Sequence, residues 1–499
     1  MQILCATAIA ALTGTCIASP GYLSLDVEVR SPFDRGLVRR QNSDSTVDAP
    51  LTQNTNKLEY LVNVTIGTPA QHLAVTIDTG SSDLWVPASS SVLCKNGGCD
   101  AGSFDPTASS TYNVVDQGGF NITYAAPGDS DGGDWATDTV TVGGSAPIQQ
   151  QQIGVASTLY DPHGVMGVGF DTNEANNPSP EGVYPSVMDN LQSAGIINRK
   201  AYSLYLNDLQ ASKGAIIFGG VDSTKYTGDL VALPLQERPE GVISEFYVTL
   251  TSVSFTDETG KTTQLSPNGY AQSVLLDSGT SQTLLTDDVF NALANGFGAV
   301  YVGEGSYAVP CKFSNIKGSI NYSFGGDGGV TVKVPVSQVI GNQIFPGKNF
   351  NDKSGGCDFG FGPPIDGVSI LGDTFMRSAY AVFDITNSVA ALAQAAENKT
   401  DTSSIAVIPS GTAIPGASST ATATGTQLSS AALTEQPSVP TASAEGTTLV
   451  FAGTPTFNLG AQAATGTAAG STTSSGRANA AAPTAALLGL GLVAGAMVL

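Results

Sequence analysis

The sequence predicts a mostly-β chain of two similar lobes followed by a disordered C-terminal stalk, on three observations. A four-residue stretch occurs twice, as Asp78-Thr79-Gly80-Ser81 and as Asp277-Ser278-Gly279-Thr280, 199 residues apart, each behind an apolar run. An internal repeat this distant implies two like units, each lending one carboxylate to a shared site. From residue 58 onward, short β-rich runs such as 60–66, 139–142 and 215–218 are broken by Gly, Pro, Asn and Asp, the pattern of many short strands joined by turns. After residue 399 the composition shifts to Ser, Thr, Ala, Gly and Pro, and Asp401, Glu435 and Glu445 are the only charges up to residue 476. Such a segment buries too little to fold and reads as an O-glycosylated stalk.

The 499 residues are too many for one ordinary domain and enough for a large core. The net charge is −22, and residues 41–398 carry all of it, with 14 Lys and Arg against 36 Asp and Glu. That field repels nucleic acid and favours cationic partners. It suits an acidic workplace, where protonation relieves self-repulsion, and it equally serves plain solubility. Of six Cys, Cys5 and Cys16 lie near the N-terminus; Cys94, Cys99, Cys311 and Cys357 form an even set suited to an oxidising compartment. The only histidines are His72 and His163, a scarcity that argues against a zinc site and against a Ser-His-Asp hydrolase.

In chain order, residues 1–18 are an apolar leader with small residues at Cys16 and Ala18, a secretory signal cut after Ala18. Residues 19–40 end in Arg39-Arg40, a dibasic processing site that makes them a propeptide and puts the mature start near Gln41. The folded domain spans 41–398, with an N-lobe over about 58–232 and a C-lobe over about 233–396. Short helices are expected near residues 187–191 and 287–293, the second with Thr286 as N-cap. The stalk takes 399–476. Residues 477–499, ending in an uncharged stretch from Ala485, combine small residues, spacer and short apolar tail as a GPI-attachment signal does, with Ser474, Ser475, Gly476 or Asn479 as the attachment residue. N-glycosylation sequons start at Asn63, Asn121, Asn321 and Asn398; the first two fall in strand-like runs, which favours Asn321 and Asn398.

The run Val75-Thr76-Ile77-Asp78-Thr79-Gly80-Ser81-Ser82-Asp83-Leu84-Trp85-Val86, with Leu276-Asp277-Ser278-Gly279-Thr280-Ser281, resembles the two active-site motifs of pepsin-family aspartic proteases, over roughly residues 58–396. The resemblance implies a bilobal fold of two β-barrel-like lobes with the active-site cleft between them, no cofactor and no metal, and protein or peptide substrates. It implies Asp78 and Asp277 as the catalytic pair, which would share one proton because neighbouring carboxylates cannot both ionise easily. Thr79 and Ser278 would link the lobes, Ser81 and Thr280 would bond the outer carboxylate oxygens, and Gly80 and Gly279 would offer backbone N–H groups. Val165-Met166-Gly167 and Ile370-Leu371-Gly372 would pack against the two Asp turns. Disulfides Cys94–Cys99 and Cys311–Cys357 are implied in the same way, and so is a weak plug by the propeptide, whose Arg30, Arg35, Arg39 and Arg40 face Asp26, Glu28 and Asp34.

Residues 120–124 resemble the strand that ends in the flap tyrosine, here Tyr124, whose hydroxyl should accept from the Trp85 indole. The family usually continues with Gly; Ala125 follows here, and the tip is longer and more acidic. Asp129, Asp131 and Asp134 could attract Lys or Arg of a substrate, as in yapsin-like fungal enzymes, or could simply form a solvated turn. Leader, dibasic cut, stalk and tail also resemble that GPI-anchored yapsin or candidapepsin-like group. The reading is a monomeric, surface-anchored endopeptidase with an acidic optimum. Its rivals are a catalytically silent binding protein of the same shape and a structural wall mannoprotein.

Overall fold

The computed structural model describes residues 17–19, 21–30, 59–124, 130–175, 183–211, 213–238, 241–303, 305–345, 355–399, 403–423, 425, 439–445, 448–451 and 454–459. The dibasic cut after Arg40, Asp129 at the flap tip and the candidate anchor residues Ser474, Ser475, Gly476 and Asn479 lie outside them. The architecture is mostly β. A 15-stranded sheet holds the N-lobe strands and, continuous with them, a connecting layer shared by both lobes; an 8-stranded and a 4-stranded sheet make the C-lobe.

Alternation explains why these runs are strands. In Glu59–Ile66 the residues Tyr60, Val62, Val64 and Ile66 face the core; period two is the signature of a pleated strand with one buried face. Both expected helices form. Val187–Ser193 is capped by Ser186, whose hydroxyl accepts from Asp189 N while the Asp189 carboxylate returns a bond to Ser186 N. Asp287–Phe297 stops at Gly298, which adopts φ +65, a conformation glycine takes without a Cβ penalty.

The connecting layer orders the strands Tyr226–Pro234, Val389–Ala395, Ala379–Asp384, Ala201–Tyr205, Lys213–Phe218, Tyr22–Arg30 and Glu59–Ile66 side by side. Where it meets the two lobes, aromatic rings interlock: Tyr202 stacks on Phe383 at 5.0 Å, Phe246 stands edge-on to Phe383 at 4.6 Å, and Phe170 lies 5.3 Å from Phe246. The strand Tyr22–Arg30, from the expected propeptide, is interior to the sheet and buries Leu23, Leu25 and Val27. It therefore adds packing where the sequence suggested only a weak electrostatic plug.

Part of the expected stalk is also folded. Strand Ile405–Val407 pairs with Gly220–Asp222, and Ala417–Thr420 runs parallel to Tyr226–Pro234. Between them Ile408 and Ile414 are buried against Tyr205, Leu230, Tyr380 and Val382, and the carbonyls of Ile408 and Ala413 accept from Asn198 and Arg199. Further on, Pro440 O accepts from Tyr301 N. Phe457 stacks on Phe255 at 4.4 Å and edge-on to Phe297 at 5.4 Å. It fits because position 296 is Gly: a Cβ there would come within 2.0 Å of its ring. The average composition hides these few widely spaced apolar residues, which cover the connecting layer at Ile408 and Ile414 and the C-lobe at Phe457.

Candidate functional site

Two mirrored turns meet between the lobes. Gln71–Asp78 runs parallel to Gly164–Gly167, with Asp78 opposite Gly167; Gln272–Leu276 runs parallel to Ile370–Leu371 and delivers Asp277 just beyond Leu276. The expected apolar-apolar-Gly triplets thus flank both Asp turns. Their glycines permit the approach: a Cβ on Gly167 would lie 2.4 Å from Ser82 N, and one on Gly372 2.2 Å from Thr280 O.

Around each carboxylate the same two donors recur. Asp78 Oδ1 accepts from Gly80 N at 2.8 Å and its Oδ2 from Ser81 Oγ at 2.5 Å; Asp277 Oδ1 accepts from Gly279 N at 2.8 Å and its Oδ2 from Thr280 Oγ1 at 2.5 Å. The lobes are laced by reciprocal bonds beneath. Thr79 Oγ1 accepts from Ser278 N at 2.9 Å and donates to Leu276 O at 2.9 Å; Ser278 Oγ accepts from Thr79 N at 3.2 Å and donates to Ile77 O at 2.9 Å. Asp78 and Asp277 are both buried and hydrogen-bonded to each other. Burial, and then the Asp277 charge, hold the Asp78 carboxyl well above the ordinary range; burial also raises Asp277, against the pull of Thr280 and Gly279. A pair so arranged keeps one proton between two oxygens and can donate from one member while accepting at the other.

Tyr124 ends the strand Asn113–Thr123 of a hairpin that returns through Ser130–Val142. Its hydroxyl accepts from Trp85 Nε1 at 2.7 Å, and both rings belong to a buried cluster with Phe120, Ile122, Trp135 and Tyr184. The acidic-flap idea needs correction at Asp131. That side chain is fully buried and accepts from the backbone N–H of Tyr160 at 2.9 Å and Asp161 at 3.3 Å, so it braces the hairpin and does not face a substrate. Asp134 accepts from Gly118 N at 2.7 Å.

The structure joins Cys94 to Cys99 and Cys311 to Cys357. Of the sequons, Asn121 and Asn398 are exposed and Asn63 is half-buried. Asn321 is buried, and its Nδ2, the atom a glycan would need, donates to Thr256 Oγ1 at 2.8 Å and Ser254 Oγ at 3.3 Å. The sequence preference for Asn321 is therefore reversed, because the sheet turns that residue inward.

Two groups escaped sequence reasoning. Asp83, inside the first motif, is fully buried and accepts from Tyr184 Oη at 2.6 Å and Ala175 N at 2.8 Å; an Asp directly ahead of the apolar run Leu84-Trp85-Val86 was the available signal. His163 is buried between Glu59, at 2.5 Å from Nδ1, and Asp100, at 2.6 Å from Nε2. Burial pulls its pKa down, but the bonds and charges of Glu59 and Asp100 outweigh that and raise it. A His whose folded pKa exceeds its unfolded one stabilises fully below the unfolded value, near 6.5, and loses that contribution as pH climbs through the folded one. His163→Asn should therefore lower the melting temperature by several degrees at pH 5 and by less at pH 8. An equal drop at both would exclude the charged clamp.

Residues 59–395 match the family model described as eukaryotic aspartyl protease. The chain is 36% identical over 443 residues to a probable aspartic-type endopeptidase, opsB, of Aspergillus fumigatus, covering 86% of this chain and 89% of the relative. It is 33% identical over 440 residues to a probable aspartic-type endopeptidase of Arthroderma benhamiae, covering 84% and 87%. To secreted aspartic protease 3 of Candida albicans it is 34% identical over 392 residues, covering 75% of this chain and 90% of that protein.

Proposed function

The chain belongs to the eukaryotic aspartyl protease family, and from that premise we propose that Asp78 and Asp277 are the catalytic pair of an endopeptidase working in acid. The observation that carries this is the mirrored set of donors around two buried, mutually bonded carboxyls. One member, ionised, takes a proton from a water held between them. The other, protonated, donates to the carbonyl oxygen of the scissile peptide. Water adds to the carbonyl carbon directly, the tetrahedral intermediate collapses, and the amine leaves with a proton returned by the pair. Thr79 and Ser278 keep the two turns in register, and Trp85 orients Tyr124 over the cleft. The raised pKa of Asp78 holds one proton on the pair in acid, while the bonds from Thr280 and Gly279 oppose protonation of Asp277.

The chain is exported, then held at the cell surface as a monomer through a GPI anchor placed near Ser474, Ser475, Gly476 or Asn479, after removal of residues 1–18 and 19–40. The leader, the dibasic pair, two disulfides and the apolar tail support that route. Substrates bearing Lys or Arg are preferred, an idea that draws on the net charge of −22 and no longer on Asp131.

The test is cleavage of paired peptides, basic or neutral at the scissile bond, by the full chain from pH 3 to 7, with and without a statine-type transition-state analogue. Acid-favoured, analogue-sensitive cleavage with basic peptides ahead is the expected result. Tight analogue binding without cleavage would mean a silent binding protein. Phosphatidylinositol-specific phospholipase C should release the protein from cells, and retention would remove the GPI assignment.

A further inference from the structure

We infer that Asp83, Tyr184 and Glu174 form a positioning unit that ties the turn carrying Asp78 to the aromatic wall behind Tyr124, and so sets the turnover rate of the reaction proposed above, on which this inference rests. None of the three need touch substrate. Asp83 lies five residues beyond Asp78 and two before Trp85. A carboxyl sealed from water must find donors, and it takes Tyr184 Oη at 2.6 Å on one oxygen and Ala175 N at 2.8 Å on the other.

Glu174 is equally buried; its Oε2 accepts from Tyr184 N at 2.9 Å, and its Oε1 has no hydrogen-bond partner in the structure. The residue before it, Asn173, donates from Nδ2 to Gly80 O at 3.2 Å, within the active-site turn itself. Three consecutive residues thus serve one purpose: Asn173 holds Gly80, Glu174 holds Tyr184, and Ala175 holds Asp83.

From Tyr184 the linkage continues through ring contacts. Tyr184 stands edge-on to Trp135 at 5.6 Å, Trp135 edge-on to Phe120 at 4.8 Å, and Phe120 lies 6.2 Å from Trp85, which bonds Tyr124. Because Asp83 and Trp85 share one short strand entry, the path closes into a loop with the flap tyrosine at one point and the Asp78 turn at another. A shift of the Tyr184 hydroxyl must then move both ends. Filling this space with apolar side chains would hold the lobe together at no electrostatic cost; two buried acids make sense where a defined geometry is the product.

Their charge state suits acid. Burial pushes Glu174 up to about 9 and Asp83 up to about 6, Tyr184 and Ala175 only partly opposing the latter. The charged groups around Glu174 are Asp83, Asp171 and Asp189, with Lys200 bridging Asp189 at 2.8 Å and Asp171 at 3.6 Å. Among the described residues no ion pair reaches Asp83 or Glu174. In acid both carboxyls are neutral and the unit is assembled without a buried charge; as pH rises, ionisation forces anions into a site with no cation.

Tyr184→Phe tests this in the full chain, since it keeps the ring on Trp135 and removes only the hydroxyl. Rates are expressed per active site, counted by titration with a tight-binding transition-state analogue. We expect kcat to fall about tenfold with KM within about twofold, the loss of roughly one buried hydrogen bond at the transition state. A second pair separates geometry from mere filling. Glu174→Ala should lose kcat throughout, whereas Glu174→Gln, which keeps an oxygen to accept from Tyr184 N, should retain it in acid. Tyr184→Phe with wild-type kcat per site, or a loss seen only in the number of sites, overturns the unit. So does identical behaviour of the Gln and Ala variants. A wild-type chain that cleaves nothing overturns the protease reading, and the unit with it.

Discussion

Asp78→Asn and Asp277→Asn should each lower kcat by about 10⁴-fold, the upper range for removing a positioned acid or base, while leaving the fold intact. Either change leaves a pair that can no longer hand one proton back and forth: the amide cannot accept from water as a base or donate as an acid. Yet Asn keeps the shape and an oxygen where Gly80 N or Gly279 N now donates. Burial penalises the charge of both carboxyls, and at Asp78 the Asp277 charge adds to it, so replacing one acid by a neutral amide relieves strain of electrostatic origin. Melting temperatures equal to or above wild type are therefore expected, and calorimetry beside the cleavage assay checks both halves. Residual activity above about one per cent in either variant would take the chemistry away from this pair.

Ending the chain at residue 398 should cost the fold on the order of 5 kcal/mol relative to a chain ending at residue 459. The shorter chain loses Ile408, Ile414 and Leu459, exposed by 0%, 8% and 2%; each is worth about 1.5–3 kcal/mol when buried, offset in part by the entropy of ordering the strap. It also strips carbonyl acceptors from Asn198 and from Arg199, a fully buried side chain paired with Asp384 at 2.7 Å. Losing an acceptor inside the protein costs more than its bond contributed. The melting temperature of the 398 form should fall by about 10 °C, since 1 kcal/mol shifts a domain of this class by about 2 °C or a little more. The strap's contact at Phe457 can be isolated by a cycle. Phe457→Ala and Gly296→Val are each destabilising alone, the second because its Cβ meets the Phe457 ring, and together they should cost less than their sum. Equal melting temperatures for the 398 and 459 forms would show that the strap contributes no stability.

The sequence announced the parts of this molecule that have a fixed local grammar. The twice-written Asp-hydroxyl-Gly-hydroxyl turn behind an apolar strand is legible because a tight turn, its glycine and its hydroxyls occupy consecutive positions. The second helix was legible with Thr286 ahead of it, although the Thr286 side chain makes no capping bond. What stayed hidden depends on partners far apart in the chain. Asp83 gains its meaning only from Tyr184, 101 residues on, and His163 from Glu59 and Asp100. Asn321 reads as an open sequon until Ser254 and Thr256 are found beside it, and Asp131 reads as a surface acid until Tyr160 and Asp161 close over it. This C-terminal strap was missed because average composition is blind to four apolar side chains, Ile408, Ile414, Phe457 and Leu459, spread over more than fifty residues.

The strand Tyr22–Arg30 lies inside the sheet, flanked on both sides by Lys213–Phe218 and Glu59–Ile66. If the chain is cut at the proposed site after Arg40, that strand belongs to a separate peptide, yet Leu23, Leu25 and Val27 would still sit in the core. The product is then a complex of two polypeptides that was assembled as one. If it opens, the peptide leaves, and what was a ring closure within a single molecule becomes an encounter at whatever concentration the peptide then has. Reassembly becomes concentration-limited while disassembly does not, so the processed enzyme survives for as long as its unfolding is slow and has no equal route back. The lifetime of a chain cut there would be a rate set by one strand, and its folding a single event.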